Sequence, residues 1–302
     1  MNNFILKIFL YLLATLFISE FLIRIMKLTN EVPHRKINPI GLQTYISNQQ
    51  GYFNNNNWKV NDFGFLGLSD INSENQLMII GDSFIENIMN PIECNQGSNI
   101  KRILGDKYGV FEVGRSGITM IESLEFMKQL SPKVNPKLVL IYLSENDVLE
   151  SISNIKRLKD RLQINVRTKK IEKVILKYPL LKKFLYEFKS LYYFYIKGGF
   201  VLKMKHENSS NYEETNNNHL IKSLFSILLE NYDFSNVLFI VHSSNKFIDN
   251  LLDDYKLENI KIKFSNSNWF MENDSHWNCI GHRKVSELIT ETIQNKFINY
   301  NL

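Results

Sequence analysis

The sequence predicts an α/β domain with a parallel sheet of about five strands, helices on both faces of the sheet and a helical insertion between strands 3 and 4. Two patterns predict this fold class. Short apolar runs bounded by polar or glycine residues recur at wide intervals, which is typical of buried parallel strands. Segments with helical spacing of apolar residues lie between them, as βαβ units require. The predicted strands cover residues 77–80, 110–113, 138–143, 237–241 and 260–264.

The composition is that of a globular protein, with 44% hydrophobic and 22% charged residues in 302. The net charge of +5 is unevenly distributed, because residues 151–206 contain 15 Lys or Arg and only 3 Asp or Glu. The rest of the chain is acidic. A basic segment on an acidic body argues against nucleic acid as a partner. The two cysteines cannot be paired from the sequence.

The first segment, residues 1–27, is predicted to be a membrane anchor. Residues 4–23 are apolar apart from two small hydroxyl residues, Lys7 near one end and Glu20 near the other. A helix of about 20 mostly apolar residues spans the hydrocarbon core of a bilayer. No small-x-small cleavage site follows, which favours a retained anchor over a cleaved signal peptide or a buried helix. The positive-inside rule favours a cytoplasmic location for the rest of the chain. The basic residues that follow the span are Arg24, Lys27, Arg35 and Lys36.

The remaining chain divides into three parts. Residues 28–76 are polar and rich in asparagine, and we expect a lead-in with little core of its own. The folded domain is expected over residues 77–302. Its insertion covers residues 150–218, where a helical cap is expected and residues 209–218 are expected to be a flexible return. The lysines of residues 151–206 either face solvent or contact anionic lipid headgroups or an acidic glycan.

Polar motifs follow four of the predicted strands, at the edge where parallel sheets bind ligands. Ser83 follows the first strand, Gly117 the second and Asn146 the third, while Asp274 and His276 follow the fifth. A serine is a weak nucleophile without an adjacent base, which His276 supplies and Asp274 orients. The N–H groups of Ser83 and Gly117 and the Asn146 amide supply three oxyanion donors. Taken alone, each motif is also typical of a helix cap or a turn.

A metal site is the rival interpretation of the last motif. His276, Cys279 and His282, with Asp274, have suitable side chains. On a helix, however, the first three spread over about 120°, which is too wide for a compact ligand set. We therefore expect no metal, with Cys279 as a small core residue and His282 as a cap or supporting group. His242, after the fourth strand, is expected to be a structural histidine or to line the pocket.

These motifs resemble the four sequence blocks of the SGNH (GDSL-type) hydrolase superfamily. The matching stretches occur in order within residues 77–298 and read GDSF, RSGIT, SEND and DSHWN followed by Gly-His. The resemblance implies a flavodoxin-like, three-layer α/β/α domain. It also implies ester hydrolysis, often deacylation of carbohydrates, without metal or other cofactor. It implies Ser83 as nucleophile, Asp274 and His276 as the rest of the triad, and Gly117 and Asn146 as oxyanion donors.

The chain departs from the usual blocks at three positions. Ser144 stands where a glycine usually begins the third block, and Val113 stands where the second block often has asparagine. The usual Asp-x-x-His spacing would place the acid at Asn273. The Asp-x-His-Trp form instead resembles alginate O-acetyltransferase-like proteins. The apolar first helix resembles membrane-anchored SGNH proteins of bacterial surface-glycan pathways, which implies that the catalytic domain is exported.

Three functions follow from these observations. The first is a serine esterase that removes a small acyl group, most simply acetyl, from a carbohydrate or cell-surface glycan. The second is an O-acetyltransferase module that acts on a polysaccharide with the same triad. The third is a non-catalytic glycan-binding protein that retains the fold. The partners expected are an acylated glycan or other small ester and the membrane.

Overall fold

The computed structural model describes residues 2–71, 73–197, 214–243, 245–263, 267–272 and 274–299. The strands within these ranges are β1 (Arg35–Ile37), β2 (Gln43–Tyr45), β3 (Gln50–Phe53), β4 (Asn56–Lys59), β5 (Asn75–Gly81), β6 (Tyr108–Gly114), β7 (Leu138–Ser144), β8 (Gln163–Asn165), β9 (Lys170–Glu172), β10 (Val237–Ser243) and β11 (Asn259–Lys261). The α-helices are α1 (Asn2–Ile25), α2 (Ser83–Glu86), α3 (Gln96–Leu104), α4 (Met120–Val134), α5 (Glu145–Leu149), α6 (Pro179–Glu187), α7 (Lys189–Lys197), α8 (Glu214–Asn231), α9 (Lys246–Asp254) and α10 (Cys279–Asn299).

Five of these strands form a parallel sheet in the order β6-β5-β7-β10-β11. Counted along the chain, this is the order 2-1-3-4-5 of flavodoxin-like sheets. The predicted fold class is therefore confirmed, and the first four predicted strands lie within the observed ones. The fifth is shorter than predicted, because β11 ends at Lys261. Phe264, the predicted last residue of that strand, lies outside the described residues.

Helices cover both faces of the sheet. Successive side chains of a strand point to opposite faces, so a strand covered on both sides is apolar throughout. Leu77 and Ile79 of β5 pack in one cluster with α3 and α10. Met78 and Ile80 pack in the other cluster, with α4, α8 and α9. This packing leaves the carboxyl ends of the strands as the open edge at which a site can form.

The segment expected to be a polar lead-in has more core than its composition indicates. β1 pairs with β2, and β3 pairs with β4, each antiparallel. Asn54 and Asn55, which lie in the polyasparagine run, have φ values of 46° and 64° and form the turn between β3 and β4. Asparagine tolerates this left-handed conformation, which two-residue hairpin turns require. Tyr45, Val60 and Leu66 are buried in a cluster of their own.

The insertion is only partly helical. It begins with a short antiparallel hairpin, because β8 pairs with β9. Helices α6 and α7 follow, as predicted for this segment. Three-residue strands give too short a pattern to be recognised in the sequence. Of the predicted flexible return, residues 209–213 lie outside the described residues, whereas residues 214–218 form the start of α8.

Helix α1 is long and apolar enough to cross a membrane. Its candidate span is Asn3–Ile25, with a mean hydropathy of 2.0, and only 6% of the most apolar stretch is buried in the protein. By length and composition it fits a membrane anchor or a signal sequence. The exposed apolar surface of this helix is what a bilayer would cover.

Cys94 and Cys279 form a disulfide across 185 residues of sequence. The expectation that Cys279 is a small core residue is therefore wrong. The bond fixes the first residue of α10 to the short 3₁₀ helix Ile92–Cys94 that precedes α3. Local sequence patterns carry no information on such a distant pairing.

We expect reduction of this bond, or the Cys94→Ser and Cys279→Ser double substitution, to lower the free energy of unfolding by about 2–5 kcal/mol, because the bond restricts the unfolded chain over a long loop. Denaturant unfolding of the full chain in detergent, with and without reductant, measures this. The double variant is the control, since reductant should leave its unfolding curve unchanged. Equal midpoints for oxidised and reduced wild type would contradict the expectation.

Glu112 of β6 is a buried acid that links this edge strand to the segments that contain Gly97 and Leu68. Its carboxylate accepts the Gly97 N–H at 2.7 Å and the Leu68 N–H at 2.8 Å. Burial raises the pKa of Glu112 to about 7, although these hydrogen bonds act to lower it. In the unfolded chain the carboxyl titrates near its ordinary value of 4.5. Between these two values the folded protein therefore binds a proton that the unfolded chain releases.

Stability should consequently fall as the pH rises through this window. The Glu112 contribution is present in full below about pH 4.5 and is lost as the pH passes about 7, a change of about 3 kcal/mol. The measurement is the free energy of unfolding from pH 4.5 to 8 for wild type and Glu112→Gln. The free energy of unfolding of wild type, relative to that of Glu112→Gln, should decrease as the pH rises across this range. A difference that is constant with pH would refute the assignment.

Candidate active site

Ser83 lies at the carboxyl end of β5, at the turn into α2. Gly81 permits this turn, because a Cβ there would lie 2.5 Å from Ile85 Cγ1. The helix cap is Asp82, whose side chain accepts a hydrogen bond of 3.0 Å from the Phe84 N–H. The Ser83 hydroxyl therefore does not cap the helix, although a cap was the alternative interpretation of this serine. The hydroxyl is available to another partner.

That partner is His276. Ser83 Oγ and His276 Nε2 are 2.7 Å apart, and His276 Nδ1 and Asp274 Oδ1 are 2.5 Å apart. Burial acts to raise the pKa of Asp274, but the hydrogen bonds from His276 outweigh it and hold that pKa below its ordinary value. Asp274 is therefore a carboxylate that keeps a proton on Nδ1 and leaves Nε2 free to accept the serine proton. The three side chains form one hydrogen-bonded chain.

The two-residue spacing between acid and histidine is accommodated by a tight loop. Asp274 Oδ1 also accepts the His276 backbone N–H at 3.0 Å, so one oxygen holds both the main chain and the ring. Trp277 is fully buried and packs against Phe84, with ring centroids 4.6 Å apart. Asn90 donates to the Trp277 carbonyl at 3.0 Å. These contacts fix the imidazole over the carboxyl end of β5.

The other predicted site residues lie around the same cavity of about 540 Å³. Gly117 has φ +72°, in the left-handed region that favours glycine, at the turn after β6. Asn146 is an exposed residue of α5, and Ser144 rather than Asn146 caps that helix. The cavity is lined by Asp82, Ser83, Phe84, Gly117, Ser144, Asn146, Asp147, Glu150, Arg161, His242, Phe270, Ser275, His276 and Trp277.

We expect Asn146→Ala to lower kcat roughly 10²–10³-fold, with a smaller effect on KM, because an oxyanion donor acts mainly in the transition state. Steady-state hydrolysis of an aryl acetate measures both constants. Asn231→Ala, at the far end of α8, is the matched control and should behave as wild type. An unchanged kcat for Asn146→Ala would remove this residue from the proposed oxyanion hole.

Arg161 is a site residue that the sequence did not indicate. It belongs to the turn before β8 and is ion-paired with Glu150, and both residues line the cavity. A Cβ on Gly117 would lie 2.7 Å from Arg161 Nη2, so the glycine allows the guanidinium to approach. A buried ion pair between Arg115 and Glu122 holds the loop that carries Gly117. An arginine among many basic residues of an insertion has no distinguishing spacing, so only the structure identifies it.

The residues considered as a metal-binding alternative, among them Cys279 and His282, have other roles in the structure. Cys279 is in the disulfide and is not available as a thiolate ligand. His282 is buried beside Gln96, and burial lowers its pKa to about 3. Its ring contacts Gln96 and the ring of Trp277 near the start of α10, which agrees with the expectation of a supporting group.

A different cluster could hold a cation by composition. Potential ligand atoms of Asp82, Asp147 and His242 lie within 4.8 Å of one another beside the cavity. Burial, with the charge of Asp82, raises the pKa of Asp147 well above its ordinary value, although the N–H and hydroxyl of Ser144 donate to it at 2.7 Å each. Burial also lowers the pKa of His242. A raised pKa favours the protonated carboxyl, so Asp147 is a weaker metal ligand than an ordinary aspartate.

A second cavity, of about 610 Å³, lies between the 28–60 segment and α6. The turn at Ser116 and Gly117 separates it from the triad cavity, since Ser116 lines one and Gly117 the other. Its polar floor includes the Tyr45 hydroxyl, which donates to Glu86 at 2.7 Å. Its lining includes four basic residues and two acids, which are Arg35, Lys177, Lys182, Lys183, Glu86 and Asp160.

The chain matches no protein-family model and no curated protein sequence. Among solved structures it is similar to TesA, with 13% identity, a TM-score of 0.39 and coverage of 73% of this chain and 98% of TesA. It is also similar to the psychrotrophic esterase EstA from Pseudoalteromonas sp., with 11% identity, a TM-score of 0.42 and coverage of 75% and 100%. A third similar structure is a family 3 carbohydrate esterase from Clostridium thermocellum, with 15% identity, a TM-score of 0.37 and coverage of 72% and 93%.

Proposed function

We propose that the protein is a serine esterase of the SGNH type. The observation that carries the proposal is the hydrogen-bonded chain from Ser83 through His276 to Asp274, with distances of 2.7 and 2.5 Å. A base within hydrogen-bonding distance is what activates a serine hydroxyl, and an acid behind it orients the ring. The site motifs occur in the same order as the SGNH blocks, which supports the same assignment.

In the proposed reaction, Ser83 Oγ attacks the ester carbonyl carbon while its proton passes to His276 Nε2. Asp274 stabilises the imidazolium, and the developing oxyanion is held by the backbone N–H groups of Ser83 and Gly117 and the Asn146 amide. The bond between the former carbonyl carbon and the alcohol oxygen then breaks, and that oxygen takes the proton from His276 Nε2 as the alcohol leaves. Water repeats the sequence on the acyl-serine, which releases the acid and restores the free hydroxyl.

The proposed substrate is a small acyl ester, most simply acetyl, on a carbohydrate. The cavity lining supports a polar alcohol portion, because Asn146, Glu150, Arg161 and Ser275 offer donors and acceptors. The apolar part of the lining is supplied by aromatic rings, among them Phe270 and Trp277. A pocket of this kind fits a sugar that carries a short acyl group better than a long acyl chain.

Transfer to a second sugar is the alternative outcome of the same chemistry. The basic cavity beside the triad site supports it, because an acceptor hydroxyl bound beyond Ser116 and Gly117 would approach the acyl-serine from the side of that turn. Such an acceptor would replace water in the second step. The esterase remains our proposal, since hydrolysis requires only the observed hydrogen-bonded chain and water.

The test uses the purified full chain in detergent with an aryl acetate, and then with an acetylated oligosaccharide with and without a free sugar acceptor. We expect acetate release from both esters. Acetylation of the acceptor at the expense of acetate release would indicate the transferase. Binding of the oligosaccharide without turnover of either ester would indicate a non-catalytic glycan-binding protein and refute the esterase.

We further propose that α1 anchors the protein and that the catalytic domain is extracytoplasmic. The Cys94–Cys279 disulfide supports this location, because such bonds persist in oxidising compartments. The basic residues after the span oppose it. A cysteine placed at exposed Leu288 tests the topology: in intact cells, a membrane-impermeant maleimide should label it. Labelling only after cell lysis would place the domain in the cytoplasm.

A further inference from the structure

The structure joins the membrane-span candidate to the insertion through one pair of side chains. Glu20 of α1 accepts the N–H groups of Lys189 at 3.0 Å and Ser190 at 2.7 Å, at the start of α7. Arg24, one turn later, donates to the Glu187 carbonyl at the end of α6 and is ion-paired with Glu20. The first N–H groups and the last carbonyl groups of a helix have no partner within the helix. Glu20 therefore accepts N–H groups at the start of α7, and Arg24 donates to a carbonyl at the end of α6.

This arrangement sets the height of the helical hairpin α6–α7 relative to the span. Glu20 lies five residues before the end of α1, which corresponds to about 8 Å along a helix axis. Lys189, which is buried, also binds Glu31 at 2.9 Å and ties the hairpin to the folded domain. An amphipathic helix at a membrane surface buries its apolar face about 5–10 Å into the boundary between headgroups and acyl chains. A span that ends at Ile25 would therefore place the turn between α6 and α7 at interfacial depth.

The surface of the hairpin has the composition of an interfacial element. Residues 173–197 include six lysines, one glutamate and eight aromatic residues. Leu180 is 82% exposed and Leu181 64% exposed, although leucine is normally buried. Soluble monomers rarely expose so many large apolar side chains together. The others are Ile175, Tyr178, Phe184, Phe188, Leu191, Phe194, Tyr195 and Ile196.

We propose that the α6–α7 hairpin inserts its apolar side chains into the leaflet from which α1 emerges and that its lysines bind anionic lipid headgroups there. This inference rests on the proposed anchoring by α1 and is independent of the esterase chemistry. The occupant of the surface is the bilayer, because the exposed apolar side chains of the hairpin adjoin those of the span, to which Glu20 and Arg24 attach it. Charge complementarity selects anionic lipids. The second cavity, walled in part by α6, then lies at the membrane surface.

The test places single fluorescent reporters on the full chain, with one copy per lipid nanodisc. The two native cysteines are paired, so an added cysteine is the thiol that reacts. The reporter positions are Leu181→Cys on α6, Leu13→Cys on α1 and Ile103→Cys on exposed α3 as the matched control. Lipids with brominated acyl chains quench a reporter that lies among them. We expect strong quenching at positions 13 and 181 and none at position 103.

Suppose the reporter at position 13 is quenched but the reporter at position 181, like that at position 103, is not. This result would overturn the hairpin proposal but would still support α1 as the anchor. Absence of quenching at position 13 would overturn both. If position 181 responds only when a disc holds two copies, the surface is an interface between copies of this chain and the proposal fails. Turnover of an aryl acetate by the same samples reports separately on the esterase.

Lipid charge supplies the second measurement. In discs of neutral lipid, quenching at position 181 should be weaker than in discs with anionic lipid, because a lysine near an anionic surface strengthens docking about fivefold. Lys182→Gln with Lys183→Gln should reduce the anionic signal towards the neutral one. Lys222→Gln with Lys256→Gln, which lie in α8 and just after α9, is the charge-matched control. Equal quenching in both lipids would overturn the headgroup part of the proposal.

Discussion

Ser83→Ala should abolish covalent labelling by a fluorophosphonate probe and lower kcat for an aryl acetate by roughly 10⁴–10⁶-fold, because Ser83 is the hydroxyl that His276 activates in the proposed mechanism. The fold should be unaffected. Asp82 supplies the cap of α2, and the Ser83 side chain makes its hydrogen bond to His276, in a partly exposed position. The loss of activity would then belong to the nucleophile and not to unfolding.

Ser226→Ala is the matched control, since Ser226 is an exposed serine of α8 outside the cavity lining. It should be labelled as strongly as wild type. Equal labelling of Ser83→Ala and wild type would show that another residue reacts. No labelling of wild type, with a folded protein by circular dichroism, would remove the nucleophile assignment and favour the glycan-binding alternative.

Asp274→Asn should lower kcat by roughly 10²–10⁴-fold while the protein still binds substrate. An amide N–H₂ directed at His276 Nδ1 favours the tautomer with its proton on Nε2, which then cannot accept the proton of Ser83. The imidazolium formed during the reaction also loses its neighbouring carboxylate. The measurements are kcat and KM for the aryl acetate, together with the rate of fluorophosphonate labelling.

Glu272→Gln is the control for this prediction, because Glu272 is an exposed acid of the same loop. Its kinetics should match those of wild type, and labelling of Asp274→Asn should be slowed but still confined to Ser83. Removing a triad acid produces a much larger loss of kcat than about threefold. A kcat within about threefold of wild type for Asp274→Asn would therefore show that another acid orients the imidazole.

Much of the fold was predictable because its signals are local. The alternation of buried apolar runs with helical patterns predicted the parallel sheet, and the strand order confirmed the class. The lead-in was misjudged for a physical reason. Its asparagine-rich composition predicted a solvated lead-in. In the structure, Asn54 and Asn55 adopt the left-handed turn conformation that closes a hairpin. Residues such as Tyr45 and Val60 are then buried by contacts that no local pattern reveals.

The candidate site was predictable from chain order and strand ends alone. Parallel strands bring their carboxyl ends to one edge, so Ser83, Gly117, Asn146 and His276 were expected to converge, and they line one cavity. Their chemical roles remain predictions until the variants are measured. Arg161 was not predictable, because its place depends on how the insertion folds against the turn after β6.

The amino-acid sequence by itself determined the sheet, the chemical types at its open edge and the apolar first helix, because periodicity and composition act over a few neighbouring residues. Tertiary structure alone decided the Cys94–Cys279 pairing and the binding of Glu20 to the start of α7. These contacts join residues 185 and about 170 positions apart. Which of many possible partners meets over such distances depends on the complete packing of the chain, and short patterns do not encode it.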